Sequence, residues 1–545
     1  MKQKVVSAIA EHLQLSKKEI EKLIEIPPSE ELGDYAFPTF SSAKLLKKAP
    51  NQIAQSLVEK IKSKYFEKVE AKGPYINFFV DKKHFASEIL KQALKKNFGS
   101  TNKKGKIALE HTSLNPNASP HVGRARNSII GDSIKRILEF QGYEVETYYY
   151  VNDVSKQVAM LALEFKGSES FSDLLNLYIK INKKISSSPE LEKKVFEMLK
   201  KFESQDKQTL SLFKKIVSIA LKGQTKILKE FGIEFDKFDY ESSHIKSSPL
   251  LLKRFEKTGK LFKDENGRFI LDESGFGLEE KMRSPMLVLA RSNGTGLYVL
   301  RDLAYTIDKL KRCKQTFIVL GEDQKLYFEQ LKIALNLLGE SAPTPIHYSY
   351  VLIQDEDKIG KMSTRKGDVV LLEDFMSEAR KKAEREIKKR KTSGDAKKIG
   401  YGAVKYTMLK NNSNKNIIFN WEQALNFEGN SGPYVQYAYA RASSILAKAS
   451  SSKSKALPAP NKNEISLLKK ISDFPLVVEK AEAQLDPSII AHYSFELAQK
   501  FNEFYHSSQV IGSKEEYFRL KITKAFSQTL KNSLNLLGIE AIEKM

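Results

Sequence analysis

The sequence predicts an α/β protein: a parallel sheet interrupted by a helical insertion, preceded by a small α+β module and followed by an all-helical region. Three observations carry that prediction. Residues 107–151 read as strand, crossover helix, strand; an apolar strand pattern returns at 316–321 after a long lysine-rich helical stretch; and no repeat of fixed period runs through the chain. At roughly 100 to 200 residues per domain, 545 residues leave room for several different domains.

Composition narrows the function classes. The chain is 41% hydrophobic, 10% aromatic and 29% charged, which excludes disorder as its global state. Its 90 Lys and Arg against 67 Asp and Glu leave a net charge of +23, which points to a polyanionic partner, with a lysine-rich solvated surface as the competing reading. The single cysteine, Cys313, excludes an intramolecular disulfide framework and Cys-based zinc fingers, and fits a reducing cytoplasm. No apolar stretch approaches the roughly 20 residues that span a bilayer, and the start MKQKVVSAIAEHLQ breaks its apolar run at Glu11. Neither a membrane anchor nor a secretion signal is expected.

The elements follow in order. Residues 1–100 alternate short helical patterns with a strand at YINFFV (75–80), and NFGSTNKKGK reads as a linker. A domain over 101–375 opens with the strand IALEH (107–111), a loop of Pro, Asn, Ser and Gly, a helix over about 127–141 and a strand near 145–151. Within it a helical insertion, placed at about 160–285, has little sheet character. The α/β pattern resumes with TFIVLG (316–321), a helix over 327–338 and one strand IHYSYVLI (346–353). A basic helical connection at 376–425 leads to a domain at 426–545, and the chain reads as helix throughout beyond Tyr401, interrupted by the low-complexity KASSSKSKALPAPNKNE (448–464).

Two constellations carry chemistry. EHTSLNPNASPHVGRARNSIIGD (110–132) sits where the first strand of the α/β unit gives way to a helix, the place where open α/β sheets bind ligands. A glycine after a histidine lets the backbone approach a phosphate, to which the imidazole and the helix N-terminus can donate hydrogen bonds. GKMSTRKGDVV (360–370) sets Lys361, Arg365 and Lys366 among glycines, cations suited to the charge that grows on leaving pyrophosphate. From opposite sides the two segments could close on one nucleotide.

HVGR and KMSTRKG resemble the two signature motifs of class I aminoacyl-tRNA synthetases, His-Ile-Gly-His and Lys-Met-Ser-Lys-Ser. Within that class the likeness is to the arginyl-tRNA synthetases, through NPNASPHVGRARNSIIGD, YYYVNDVSKQ, YVLRDLAY, MSTRKGDVVLLEDF and FEGNSGPYVQYAYARASSIL. ELGDYAFP and GPYINFFV resemble that family's amino-terminal tRNA-contacting module, and the first two motif forms resemble archaeal-type members. The resemblance implies a Rossmann-type class I catalytic domain and a helical carboxyl-terminal anticodon-binding domain. It also implies an arginine–tRNA ligase with ATP as co-substrate, Mg²⁺ accompanying ATP with no structural metal, tRNA-Arg as partner, activation that depends on bound tRNA, a monomer and a cytoplasmic location.

A planar arginine cation is best held by carboxylates with an aromatic surface nearby, and Tyr298 and Asp302, four apart at a helix start, project to one side. By resemblance, Ser113, Asn115, Tyr298, Asp302 and Gln324 contact arginine with Glu110 close by. The competing reading of Asp302 is a salt bridge to Arg301 or another surface cation. The catalytic set expected from the two motifs is His121, Gly123, Arg124, Lys361, Met362, Ser363, Arg365 and Lys366, of which His121, Gly123, Lys361, Met362 and Ser363 face ATP together with Asn117. Tyr434, Gln436, Tyr437 and Arg441 are the expected tRNA contacts, since rings interleaved with hydrogen-bonding side chains suit splayed bases, although tyrosines at helical spacing also build cores. Two positions depart from the family pattern: Arg124 stands in place of the first motif's second histidine, and Thr364 in place of the second motif's usual lysine.

Overall fold

The computed structural model describes all residues except 356–357, 361–369 and 450–456. Lys361, Met362, Ser363, Thr364, Arg365 and Lys366 therefore lie outside the described residues. The chain divides into two compact units: Met1–Phe98 with Ala438–Pro475 and Glu496–Asn532, and Gly99–Tyr437 with Leu476–Phe495 and Ser533–Met545.

In the first unit, β1 (Tyr35–Pro38), β2 (Phe66–Lys72) and β3 (Tyr75–Val80) form an antiparallel sheet of order β1-β3-β2. The ELGDYAFP and GPYINFFV segments are thus partners, with Tyr35 opposite Phe78 and Ala36 opposite Asn77. Phe37, Ile76 and Phe78 pack with Val5, Ile9, Ile20, Ile53 and Leu57 from the flanking helices, which gives this small sheet its buried face.

In the second unit, β4 (Lys106–Glu110), β5 (Glu144–Val151), β6 (Lys237–Tyr240), β10 (Gln315–Gly321) and β11 (Thr344–Tyr348) form an all-parallel sheet of order β11-β10-β4-β5-β6. Ile107, Ala108 and Leu109 of β4 are wholly buried, as a strand covered on both faces requires. The chain leaves β4 toward β5 on one side and returns to β10 on the other, so the switch point lies at the carboxyl end of β4. An antiparallel sheet of β7 (Leu261–Lys263), β8 (Phe269–Asp272) and β9 (Met286–Ala290) lies between β6 and β10 in sequence, and β12 (Val351–Asp355), β13 (Lys358–Gly360) and β14 (Ile417–Phe419) make a third sheet.

The structure corrects four sequence expectations. The helix after β4 runs Val122–Phe140, starting five residues early, with the extended backbone of His121 at its N-cap position. The insertion holds sheet elements: four helices, Lys156–Glu164, Phe171–Ser186, Pro189–Glu203 and Lys207–Glu230, are followed by β6, whose mostly exposed side chains at the sheet edge gave no apolar pattern. IHYSYVLI is two strands, because at Ser349 the chain leaves the parallel sheet to pair with β14. Finally, β14 interrupts the region read as continuous helix, and its Ile417 and Phe419 face the core while Ile418 faces out.

Candidate active site

The segment leaving β4 is held in a strained path. Thr112 and Ser113 have φ of 75° and 43°, which non-glycine residues adopt only where surroundings enforce it. Those surroundings are specific. Asn127 of the Val122–Phe140 helix accepts the Thr112 N–H at 2.7 Å and donates to the Val319 carbonyl on β10 at 2.9 Å, while the Thr112 hydroxyl reaches Ser128 at 2.8 Å. Farther along, Gln224 donates to the carbonyls of Asn115 (2.9 Å) and Ala118 (2.8 Å), and accepts the Tyr149 hydroxyl at 2.9 Å. Ser113 and Asn115 are half-buried in this segment and Asn117 is buried. Behind it the His111 ring lies so close to Gly131 that a Cβ there would come within 2.3 Å of it.

The chain just beyond the second motif, Val370–Leu372, pairs with the first motif at the helix start. The Val122 N–H donates to the Val370 carbonyl at 3.0 Å, the Leu372 N–H donates to the Pro120 carbonyl at 2.7 Å, and His121 and Leu371 form an antiparallel bridge. The carboxyl end of the second motif's segment is thereby tied to the first motif. His121 is half-buried, its Nδ1 has no hydrogen-bond partner among the described residues, and burial together with neighbouring Arg124 holds its pKa down to about 4. A neutral imidazole at physiological pH keeps one N–H to donate. Gly123 occupies the helix's first turn, and Arg124, half-buried, lies beside His121 and Tyr348.

A second cluster stands on the helix Tyr298–Arg312. Its apolar face, Val299, Leu300, Leu303, Ala304 and Ile307, packs with Phe328, Leu331 and Ala334 of the helix Lys325–Leu337. Asp302 Oδ2 accepts the Tyr327 hydroxyl at 2.6 Å, and the ring of Tyr298, itself 57% exposed, lies 5.5 Å from that of Tyr327. Burial raises the Asp302 pKa to about 6 against the pull of the Tyr327 hydrogen bond; Glu110 adds to the rise and Lys309 opposes it. Asp302 makes no salt bridge among the described residues. Arg301, the rival partner suggested by sequence, points elsewhere: it donates to Glu241 at 2.7 Å and to the Gly296 carbonyl at 2.7 Å. Glu110 is committed differently, in a buried ion pair with Lys309, whose ammonium also lies 4.5 Å from the Tyr305 ring centre. Tyr305 stacks on Tyr150 at 4.4 Å, and the Tyr150 hydroxyl is buried without a hydrogen-bond partner among the described residues. Gln324 stands at the N-cap position of the Lys325–Leu337 helix, one turn before Tyr327, with its amide 3.3 Å from Asp323.

Tyr327, Tyr150 and Lys309 are site residues that sequence reasoning passed over. Tyr150 stood in the quoted YYYVNDVSKQ, and Tyr327 one turn beyond Gln324 offered an aromatic with a hydroxyl, but their contacts to Asp302 and Tyr305 join distant segments. The expected RNA contacts fare unevenly. Gln436 is fully buried, its amide donating to the carbonyls of Lys398 (3.2 Å) and Glu540 (2.9 Å), so it holds the fold and is not presented to a base. Tyr434 is half-buried with its ring 5.2 Å from Phe495, and Tyr437 is also half-buried. Arg441 donates to Asn502 at 2.7 Å and lies 4.8 Å from the exposed ring of Tyr505.

The chain is similar to known proteins along its length. Residues 86–421 match the family described as tRNA synthetases class I (R), catalytic domain; residues 435–545 match the DALR anticodon binding domain; residues 1–80 match the arginyl tRNA synthetase N terminal domain. The chain is 39% identical to the arginine–tRNA ligase of Methanocaldococcus jannaschii, covering 97% of this chain and 96% of that one. It is 37% identical to the arginine–tRNA ligase of Clostridium perfringens over 100% of both chains. Among solved structures, the Thermus thermophilus arginyl-tRNA synthetase superposes with a TM-score of 0.81 at 26% identity over 100% of both chains. The Plasmodium falciparum arginyl-tRNA synthetase shares the fold, with a TM-score of 0.77 at 20% identity over 100% of this chain and 98% of that one.

Proposed function

The chain belongs to the class I arginyl-tRNA synthetases and is an arginine–tRNA ligase, and on that premise we propose how its residues divide the reaction. The arginine carboxylate attacks the α-phosphate of ATP, forming arginyl-adenylate as pyrophosphate leaves. A hydroxyl of the terminal tRNA ribose then attacks the activated carbonyl, giving the ester and releasing AMP. Neither step requires a protein nucleophile, so catalysis rests on placement and on stabilising the charge that moves to phosphate.

In this reading Asp302 receives the guanidinium, with Tyr327 orienting the carboxylate and Tyr298 supplying a ring beside it. Ser113, Asn115 and Gln324 line the arginine site, and Glu110 acts from behind through Lys309. His121, Gly123 and Asn117 face ATP, where the neutral His121 imidazole donates to a phosphate oxygen and Arg124 adds positive charge. Lys361, Met362, Ser363, Arg365 and Lys366, outside the described residues, are assigned to ATP and its pyrophosphate from sequence alone. Mg²⁺ is assigned to the triphosphate, whose charge it would offset, and no step is routed through it. Tyr434, Tyr437 and Arg441 are retained as tRNA contacts within the region matching the anticodon-binding domain, and Gln436 is dropped. The division 1–100, 101–375, 376–425 and 426–545, a monomeric state and a cytoplasmic location complete the proposal. No helix among the described residues is long and apolar enough to cross a membrane.

The observation that carries the residue assignment is the Asp302 carboxylate, largely withdrawn from water, fixed by Tyr327 and without a salt-bridge partner among the described residues. Such a group gains most from a planar cation. The test is arginine-dependent exchange of pyrophosphate into ATP, with and without total tRNA. Exchange that requires arginine and tRNA supports the reading; no exchange under any condition, with tRNA binding intact, overturns it.

A further inference from the structure

Arg126 lies just over one turn into the Val122–Phe140 helix, and its side chain is entirely buried. Its guanidinium donates to the backbone carbonyls of Ser349 at 2.7 Å, Lys415 at 2.8 Å and Asn412 at 3.3 Å. It forms no salt bridge among the described residues, and burial holds its pKa down to about 10, so it remains a cation at neutral pH. Burying a cation against neutral carbonyls is costly, and an apolar side chain of similar volume would fill the space more cheaply. What an apolar residue cannot do is bridge three carbonyls on two chain segments, which the rigid guanidinium fork does.

The two segments meet at one corner. Ser349 is where the chain passes from β11 to β12; Asn412 and Lys415 precede β14. The corner is cross-bonded by Ser349 N–H to the Ser413 carbonyl (2.9 Å), by the Ser349 hydroxyl to the Asn414 carbonyl and Glu322 (2.7 Å each), and by Ile417 N–H to the Tyr350 carbonyl (2.9 Å). From this corner β12 runs between β14 and β13, and the chain that follows β13 carries the second motif before returning at Val370–Leu372 to Pro120–Val122. One end of a single helix therefore holds both the origin of this excursion, through Arg126, and its return, through Val122.

We infer that Arg126 is a positioning residue for the ATP half of the reaction: its guanidinium keeps the Ser349 corner, and with it the sheet β13-β12-β14, in place relative to His121. It acts through backbone carbonyls and touches no substrate. This inference rests on the ligase reading above and adds to it a residue two positions beyond HVGR to which the motifs gave no role.

The experiment compares wild type with Arg126→Lys in arginine- and tRNA-dependent pyrophosphate exchange, measuring KM for ATP and for arginine separately, together with thermal denaturation. Lysine keeps the charge but cannot span three carbonyls. The expected result is a rise of about tenfold or more in KM for ATP, with KM for arginine within about twofold of wild type and the folded protein retained. If Arg126→Lys does not fold, Ser349→Ala, which removes the hydroxyl tying the same corner to Asn414 and Glu322, should show a smaller rise of the same selectivity. Unchanged KM values in a folded variant, or KM for both substrates rising together, overturn the positioning role. Absence of exchange in wild type overturns the ligase reading and this inference with it, whereas normal wild-type exchange with an unselective variant sinks only the role of Arg126.

Discussion

Replacing Asp302 with Asn removes a charge but leaves an acceptor for the Tyr327 hydroxyl, so the variant separates electrostatics from packing. In the ligand-free fold the carboxylate is penalised: its pKa rises from 3.8 to about 6, which at 1.36 kcal/mol per unit corresponds to at most about 3 kcal/mol against the ionised form. Because the folded state holds this proton more tightly than the unfolded chain, the carboxylate costs stability as pH rises from 3.8 to about 6, and the full cost stands above that window. Asp302→Asn should accordingly raise the thermal midpoint of the free protein above pH 6, and the advantage should fade toward pH 4. Arginine binding should move the opposite way. Removing one partner of a buried, hydrogen-bonded charge pair costs about 3 to 5 kcal/mol, so kcat/KM for arginine in pyrophosphate exchange should fall by a factor of roughly 10² to 5 × 10³. The stabilisation that arginine gives wild type in thermal denaturation should disappear with it. A variant that retains kcat/KM for arginine within tenfold of wild type refutes the assignment of Asp302, and one that is less stable than wild type above pH 6 refutes the electrostatic argument.

Two further outcomes follow from the buried charges. Lys309→Met leaves Glu110 buried without its cation and should cost about 3 to 5 kcal/mol of unfolding free energy, with much of the loss recovered in Lys309→Met/Glu110→Gln; denaturant titration at neutral pH checks this, and a single variant within 1 kcal/mol of wild type would count against the pair. His111 and His121 are held neutral, with pKa values lowered by burial to about 3 and about 4, while the unfolded chain takes up protons near 6.5. Stability should therefore fall as pH drops below 6.5, by about 2 kcal/mol per histidine at pH 5, and His111→Gln with His121→Gln should flatten that slope; an unchanged slope would place the acid sensitivity elsewhere.

Much of the architecture was legible because it is written locally. The apolar run of β4, the turn residues after it and the glycine-bearing helix start appear within some thirty consecutive residues, and the structure builds them into strand, strained segment and helix. The strands that escaped notice lacked a local signal. In β6 most side chains are exposed, and it becomes a strand by pairing with β5, with Asp236 just before it accepting the Thr147 N–H at 2.8 Å. In β14 three residues sit between helices and alternate inward and outward over too short a span to stand out. The single apolar run at 346–353 gave no sign that Ser349 would turn it from one sheet into another.

What the sequence by itself determined is the α/β class with its helical insertion and helical carboxyl-terminal region, the class of partner implied by the charge of +23, and which residue types stand at the sheet's carboxyl edge. What the tertiary structure decided is which of those charges are already neutralised. Glu110 is answered by Lys309, 199 residues away, and Arg301 by Glu241, 60 residues away, while Asp302 meets the Tyr327 hydroxyl and no salt-bridge partner among the described residues. Burial and pairing depend on what the fold brings within a few ångströms. Neighbours in sequence do not report that distance: Arg301 lies next to Asp302 in the chain and turns to another carboxylate, and Gln436, set among tyrosines like an RNA contact, spends its hydrogen bonds on two carbonyls inside the fold.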